Sequence, residues 1–459
     1  AENMFGNNNG GKMEIDLVTA GVWVPIATAL MADAGIKMAI FSPGIASILQ
    51  SNYLALDTFL SNLAGRLMKT NANNTTSENA DSELSNLYFN PIITKDGTLR
   101  AQQRIYKHPK TTEFSKRWNL PIYYQLRFGD VCSRLNTAFE RTQREGWLAD
   151  VYGGSTMQLD NIKKETGFEL ALFVEIYDVL SSFWRPDVFL RPLTHRFIRG
   201  AVQIIGRTVN FVSDGLNGQL QFGEEKQRPV SPQQENGEGG ENGEFSLESL
   251  DEPASSNVRD PYFWHENLID VAAVAWEMNI LESKLTHEFI DAACKAAVGN
   301  EPDSKKREEI SGLVRGVLSD VSIRIGPLVK KAWNEVIVNI LIGKCCGPLA
   351  AVKGVAATYR MTNRPPPTQP SPFVPTILRP LKEFNSEFRH KTPLQMGIGW
   401  KIAVVQTIAQ RYSSAVEELL ATVQRTEVAL KNRKARKMSS GGMSDGDKVK
   451  LQLYLDYKE

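Results

Sequence analysis

The sequence is poor in cysteine: it has four in 459 residues, and two of these, Cys345 and Cys346, are adjacent. So few cysteines in so long a chain cannot form a disulfide framework, which excludes the small disulfide-rich secreted domains. Reduced thiols, and therefore a cytosolic protein, are expected. At about 150 residues per domain the chain has room for about three domains.

The sequence also lacks an excess of either charge, because 53 Lys+Arg face 52 Asp+Glu and the net charge is +1. No long-range attraction to nucleic acid or anionic lipid follows from such a balance, and no nucleic-acid partner is expected. A local basic run near the C-terminus contains Lys431, Arg433, Lys434, Arg436 and Lys437. This run could contact phosphates or anionic headgroups. The favoured alternative is a solvated helix end placed at the negative end of the helix dipole.

Long hydrophobic runs are missing as well. The most apolar stretch, residues 17–31, contains Pro25 and is shorter than the roughly 20 residues that a spanning helix needs. The N-terminus has neither the basic start nor the apolar run of a signal peptide, so it is interpreted as an internal start cut from a longer chain. No transmembrane anchor is predicted, and any membrane association would be peripheral.

Local signatures of catalysis and of metal binding are absent. The five histidines are at positions 108, 195, 265, 287 and 390, and no two of them are three or four residues apart. The sequence has no C-x-x-C, no Walker-type glycine loop and no G-x-S-x-G elbow. We therefore predict no catalytic residue, no cofactor and no metal, while an enzyme whose site is assembled from distant residues is the least favoured alternative.

Apolar residues recur at helical spacing. Phe168, Leu172, Ile176 and Leu180 follow one another at intervals of four, as on the buried face of a helix. Clean strand-turn-strand patterns are nearly absent. The sequence therefore predicts an all-α protein.

Polar, acidic and Pro-rich stretches divide the chain. The acidic stretch has few apolar residues and cannot bury enough surface to offset its ordering entropy, so it is predicted to be disordered. The predicted regions are an N-terminal helical segment (12–69), a polar loop region (70–100), a middle helical bundle (101–216), the acidic disordered insert (217–260), a helical bundle (261–362), a Pro-rich linker (363–375) and C-terminal helices (376–459).

A heptad pattern near the C-terminus is the strongest periodic signal. Its members alternate in spacing between four and three residues, as in the a/d seam of a coiled coil. They are Ile398, Ile402, Val405, Ala409, Tyr412, Val416, Leu419 and Val423. The seam predicts either a core helix of a bundle or a coiled-coil contact with another chain; the bundle is favoured because barely four heptads are sustained.

The last segment is ambiguous, since apolar residues from Val449 to Tyr457 alternate as in a strand. Ser444 with Asp447 three residues later forms an N-cap signature, which favours a helix. Such a helix would be apolar on two sides.

The Pro-rich linker contains two short motifs. Residues 364–370 have the R-x-x-P-x-x-P form of polyproline-groove ligands, which such linkers also generate by chance. Ser371-Pro372 is a dipeptide that proline-directed kinases can modify.

Several segments carry a family resemblance. They are Lys107-His108-Pro109, Phe114, residues 116–128 (KRWNLPIYYQLRF), Trp184 with residues 189–197 (FLRPLTHRF), residues 434–437 (KARK) and residues 441–453 (GGMSDGDKVKLQL), with a weaker match at Val22-Trp23 and residues 41–44. In this order they resemble the family of subunit 2 of the conserved oligomeric Golgi complex, over nearly the whole chain.

This resemblance implies a cytosolic, non-catalytic subunit of a vesicle-tethering complex, peripheral on Golgi membranes and built of elongated, stacked helical bundles. Such complexes capture retrograde vesicles that recycle Golgi enzymes, and their loss disturbs glycosylation. The implied partners are subunits 1, 3 and 4 of the complex, with SNAREs, small GTPases and coiled-coil tethers. Full-length members begin with a coiled-coil region that this sequence lacks; the acidic insert is long for the family, and members usually continue beyond position 459.

Two stripes are candidate protein-contact sites. The first is the aromatic strip (residues 118–128), and the second is the heptad seam. The candidate residues are Trp118, Tyr123, Tyr124 and Phe128 in the strip and Ile398, Ile402, Val405, Tyr412, Val416 and Leu419 in the seam. Aromatic side chains are enriched at binding hot spots but pack equally well in cores, and core packing is favoured for both stripes. An alternative function is a helical-repeat scaffold of armadillo or HEAT type, although no repeat of 40 to 47 residues is seen.

Overall fold

A computed structural model describes residues 5–6, 14–15, 17–70, 103–147, 167–223, 260–299, 301, 303–360, 364–434 and 443–459. Regular structure in these residues is helical, apart from two antiparallel two-residue strands, Phe5–Gly6 and Glu14–Ile15, and one isolated bridge between Phe222 and Tyr262. The prediction of an all-α protein is confirmed.

The α-helices of the described residues include α1 (Val24–Ala32), α2 (Ala34–Phe41), α3 (Ala46–Thr70), α4 (Pro109–Ser115), α5 (Leu120–Glu145), α6 (Ala171–Ser182), α7 (Thr194–Leu216), α8 (Leu268–Lys284), α9 (Ile290–Val298), α10 (Ser304–Ser322), α11 (Ile325–Lys331), α12 (Val338–Cys346), α13 (Val355–Tyr359), α14 (Val374–Ile377), α15 (Arg379–Phe388), α16 (Gly399–Lys434) and α17 (Asp445–Lys458). Shorter π-helical and 3₁₀ turns adjoin several of them, at Leu17–Trp23, Arg191–Leu193, Trp264–Glu266, Leu285–Phe289, Ala332–Ile337, Gly347–Gly354, Arg389–Lys391 and Leu394–Met396.

Side-chain caps fix where several helices begin. Asp33 accepts the backbone N–H of Ile36 at the start of α2, and Asn267 accepts that of Ile269 at the start of α8. A cap of this kind satisfies one of the N–H groups that the first helical turn leaves unpaired.

The contacts divide the chain into two compact units. Unit 1 comprises residues 1–134 and 181–200. One part of its core is an aromatic cluster in which the rings of Phe41 and Phe114 lie edge to face with centroids 4.9 Å apart, and Trp118 adds a third ring 5.0 Å from Phe41. Trp23 joins the cluster, and its indole N–H donates to Thr111 at 2.6 Å. The polar tip of Trp23 is thus satisfied inside the unit.

Unit 2 comprises residues 135–180 and 201–459. One aromatic cluster surrounds Trp147, whose ring lies 5.4 Å from Trp264 and 5.7 Å from Phe222. Phe222 is fully buried and exchanges two backbone hydrogen bonds with Tyr262. Phe222 lies within the predicted acidic insert (217–260). The first residues of this insert are therefore part of the fold of unit 2. Residues 224–259, the greater part of that insert, lie outside the described residues, and the prediction of disorder stays a prediction.

Two helical segments are long and apolar enough, by length and composition alone, to cross a membrane. They are the helical run 304–359 and, taken together, the bent pair Val18–Ala32 and Ala34–Phe41. On the run 304–359, Trp333, Ile337 and Leu341 are fully buried inside unit 2. The core of unit 2 therefore accounts for part of the apolar residues of this run, and the absence of an anchor stays a prediction.

Candidate protein-contact surface

The first half of the heptad seam is exposed. Ile398 precedes α16, and its side chain is 66% exposed; Ile402 and Val405 on α16 are 45% and 43% exposed. The buried face of this part of α16 is formed by Trp400 and Val404, with Ile408 one turn further on. We call Ile398, Ile402 and Val405 the open face. Sequence reasoning favoured core packing along the whole seam and could not separate these residues from their buried neighbours.

The second half of the same seam is covered. Leu419 is buried in a cluster with Tyr359 of α13 and with Val449 and Leu453 of α17. Three more seam residues pack against this cluster, namely Tyr412, Val416 and Val423. Burial raises the pKa of Tyr412 to about 12. The second half of the seam is therefore covered by helices of the same chain, α13 and α17.

The covering helix, α17, runs antiparallel to α16. Its start lies near Glu427, since a Cβ added to Gly446 would collide with that carboxylate, and its end lies near Tyr412. Beside this end is a groove of about 340 Å³ lined by Tyr412, Leu420, Leu453 and Tyr457, among others. The open face therefore begins on α16 just beyond the end of α17, as a direct continuation of the α16–α17 contact.

Few charged residues lie beside the open face on its own helix: within residues 399–406, Lys401 is the one that carries a charge. Leu394, in the 3₁₀ turn before α16, is fully exposed. The adjacent Gln395 donates to Asn279 of α8 at 3.3 Å, which ties the turn to unit 2. Lys401 lies over the ring of Trp400, 5.2 Å from its centroid. An exposed apolar stripe with so little charge around it suits an apolar helix better than a charged ligand.

The aromatic strip is mostly internal to unit 1. Trp118 and Tyr123 are buried, while Tyr124 and Phe128 are half-buried and stacked on each other with centroids 5.4 Å apart. The hydroxyl of Tyr123 donates to the backbone oxygen of Val188. Burial raises the pKa of both Tyr123 and Tyr124. These rings are thus already in contact with their own unit.

The aromatic stack is fitted closely to α7. A Cβ added to Gly200 would lie 2.7 Å from the Tyr124 hydroxyl and 3.0 Å from Phe128. Glycine at this position therefore permits the close approach of the two helices.

The basic run lies at the end of α16. Lys431, Arg433 and Lys434 belong to the last turn of that helix. Arg436 and Lys437 lie outside the described residues. Contact with an anionic surface stays a prediction for all five.

The prediction of a helix at the C-terminus is correct, and Ser444 caps it by accepting the N–H of Asp447 at 3.1 Å. Sequence reasoning missed its polar face. Lys448 donates to the backbone oxygen of Arg364 at 2.8 Å, and Gln452 donates to that of Gln369 at 2.9 Å. The signal was the spacing of Lys448, Gln452 and Asp456 at intervals of four, which places three polar side chains on one helix face.

One acidic side chain is buried deep in unit 2. The carboxylate of Glu277 on α8 accepts the N–H of Glu169 and of Leu170, just before α6 begins. Desolvation raises its pKa to about 7, against the lowering effect of these two hydrogen bonds. Its contacts are those of a helix cap, and in the described part of the chain no cluster of three or more metal-binding side chains is found.

The fold and the open face define a helical-bundle protein with a candidate surface for protein contact. The chain belongs to the family described as COG complex component, COG2, C-terminal, whose model matches residues 116–457. The family identification made from the sequence motifs is confirmed.

The chain is also similar to curated proteins from animals, an amoeba and a plant. Conserved oligomeric Golgi complex subunit 2 of Homo sapiens is 26% identical over 381 residues, covering 78% of this chain and 46% of the human protein. The proteins of the same name from Dictyostelium discoideum and Arabidopsis thaliana are 24% and 23% identical, covering 74% and 76% of this chain and 39% and 41% of theirs. The chain thus spans less than half the length of these relatives. No solved structure matches it.

Proposed function

We propose that the chain is part of a non-catalytic subunit of a Golgi vesicle-tethering complex that acts in retrograde intra-Golgi transport and so supports Golgi organisation and glycosylation. The observation that carries this proposal is the family match over residues 116–457. The exposed apolar face on a helical bundle supports it, because a tether works through protein contacts. The match also favours a tether over the alternative of an unrelated helical-repeat scaffold.

The mechanism of such a subunit is mass action. Several contacts of modest affinity, combined in one assembly, raise the effective concentration of a vesicle near its target membrane. The chain's share of this work is to present contact surfaces on folded helical units.

The open face is the proposed contact with another subunit, with subunits 1, 3 and 4 as the candidates. Ile398, Ile402 and Val405 continue the stripe that α17 covers further along α16. An amphipathic helix placed end to end with α17, and like it antiparallel to α16, would bury them in the same manner. The low charge of α16 beside these residues favours a helix with an apolar seam over a charged segment.

Other contacts proposed for the chain are with SNAREs, small GTPases and coiled-coil tethers. The complex would be peripheral on the cytoplasmic face of Golgi membranes. The basic run (Lys431, Arg433, Lys434, Arg436 and Lys437) would add an attraction to anionic headgroups.

Reconstitution tests the assembly part of the proposal. The purified chain is mixed with subunits 1, 3 and 4 of the same organism, singly and together, and co-elution is followed by size-exclusion chromatography. Co-elution with at least one subunit is expected, and failure with all three would contradict the proposed contact.

Depletion of the protein in its own cells tests the Golgi part. Lectin staining of surface glycans should change and should be restored by re-expression. Unchanged glycans after complete depletion would contradict a role in glycosylation.

A further inference from the structure

Residues 364–372 follow the surface of unit 2 without forming a helix before Val374. Their attachment comes from the polar face of α17, through Lys448 and Gln452 as described above. Most of this segment is exposed, Thr368 and Pro372 included. The one buried residue of the segment is Ser371, which is 7% exposed.

Ser371 is held by a single carboxylate. Its backbone N–H donates to one oxygen of Asp456 at 2.6 Å, and its hydroxyl donates to the other at 2.7 Å. Asp456 is itself buried and also accepts the side-chain N–H of Gln452 at 2.9 Å. We call the pair Ser371 and Asp456 the latch. Hydrogen bonds to a charged acceptor are stronger than neutral ones, and the latch joins two of them on one carboxylate.

The sequence around the latch has the features of a kinase substrate. Ser371 is followed by Pro372, and the backbone on its N-terminal side is free of helix, which is the local form that a proline-directed kinase needs at its acceptor serine. Asp456 sequesters Ser371 through both its hydroxyl and its backbone N–H. A local opening of the segment, which breaks these four hydrogen bonds to α17 and no helix, would present the hydroxyl.

We propose that Ser371 is a phosphorylation site for proline-directed serine/threonine kinases and that its phosphate releases α17 from the segment. In this step the γ-phosphoryl group of ATP passes to the Ser371 oxygen. The new P–O bond forms as the bond to the β,γ-bridging oxygen breaks, ADP leaves, and the hydroxyl proton goes to the catalytic base of the kinase.

The phosphate cannot occupy the latch. It removes the proton that Ser371 donates and puts a charge of roughly −1.5 to −2 where the hydroxyl lies 2.7 Å from the Asp456 carboxylate. Repulsion between two buried anions at that distance is relieved only by separation. Separation would loosen α17 and uncover Tyr412 and Val416, the half of the seam that α17 covers.

The test uses the full 459-residue chain, a proline-directed kinase and ATP with Mg²⁺, with phosphosites mapped by mass spectrometry and amide exchange measured over residues 445–458. Phosphate is expected at Ser371, and faster in Asp456→Asn, which weakens the latch. In the phosphorylated protein, exchange in α17 should rise by ~10-fold or more. Ser371→Ala should accept no phosphate at this position.

A matched pair of variants makes the test independent of the kinase. Ser371→Glu should speed exchange in α17, whereas Thr368→Glu, which adds the same charge at an exposed position of the same segment, should not. The proposal is overturned if neither the wild-type chain nor Asp456→Asn takes phosphate at Ser371. It is equally overturned if phosphorylated Ser371 leaves the exchange of α17 unchanged. No partner protein enters the experiment, so its result is separate from that of the tethering proposal.

Discussion

The aromatic strip and the heptad seam were equal candidates for protein contact, yet the structure uses them differently. In the strip, Trp118 and Tyr123 are buried in unit 1. In the seam, Ile402 and Val405 remain exposed, although they obey the same helical spacing as the buried Leu419. Helical periodicity shows which face of a helix is apolar, but it does not show what covers that face.

The two halves of α16 show what decides whether a seam residue is buried or exposed. The second half of the seam is buried because α17 lies over it, and the first half is open because α17 ends there. The following predictions test that contrast, from the largest expected effect to the smallest.

Trp118→Ala should lower the free energy of unfolding by about 3–5 kcal/mol, the usual cost of truncating a buried aromatic side chain. Trp118 packs edge to face on both Phe41 and Tyr53. Urea unfolding followed by circular dichroism measures the loss. Leu126→Ala, at an exposed position of the same strip, is the matched control and should change little. Equal losses in the two variants would contradict the internal role of the strip.

The buried carboxyl group of Glu277 should make the stability of the protein depend on pH. Its pKa is raised from 4.5 to about 7 in the folded protein, so between these two pH values the folded state binds more protons than the unfolded state. The free energy of unfolding should therefore fall as pH rises from 4.5 to 7, by about 3 kcal/mol at about 1.4 kcal/mol per pKa unit, and should level off above.

Chemical unfolding at a series of pH values measures this slope. Glu277→Gln, which cannot ionise, should flatten it. A variant with the slope of the wild-type protein would assign the pH dependence to other groups.

Gly200→Ala should destabilise by about 1–3 kcal/mol, because the added methyl group overpacks the contact with Tyr124 and Phe128. Gly206→Ala on the same helix meets no atom within 4 Å and should be neutral or stabilising, since alanine favours the helix. Thermal unfolding of the two variants compares them. A stabilised Gly200→Ala would show that the aromatic stack is not tightly packed.

Ile402→Asn should change the free energy of unfolding by less than about 0.5 kcal/mol, the range typical of surface substitutions. Leu419→Ala, in the covered half of the same seam, should cost about 2–5 kcal/mol. Urea midpoints of the two variants give the comparison directly. Should Ile402→Asn prove as costly as Leu419→Ala, the open face would be part of the core.

Much of the fold could be predicted from the sequence, because helices and their caps are encoded locally. Apolar spacing gave the helical class, and Ser444 with Asp447 located the start of α17. The family could be identified because its motifs are short and ordered along the chain.

Long-range pairing could not be predicted in the same way. The contact of Ser371 with Asp456 spans 85 residues, and that of Glu277 with Leu170 spans 107. Nothing in either local sequence specifies the distant partner. The division of the seam into a covered and an open half depends on α17 in the same manner, which is why periodicity alone left core and contact undecided.

The most direct test of the central claim measures binding and stability in one variant. Ile398, Ile402 and Val405 are changed together to Asn, and the affinity for whichever of subunits 1, 3 and 4 co-elutes with the wild-type chain is measured beside the thermal unfolding midpoint. If these side chains form the proposed subunit contact, binding is lost while the midpoint changes little, because none of the three is buried in the core. Wild-type affinity in a normally folded variant would contradict it.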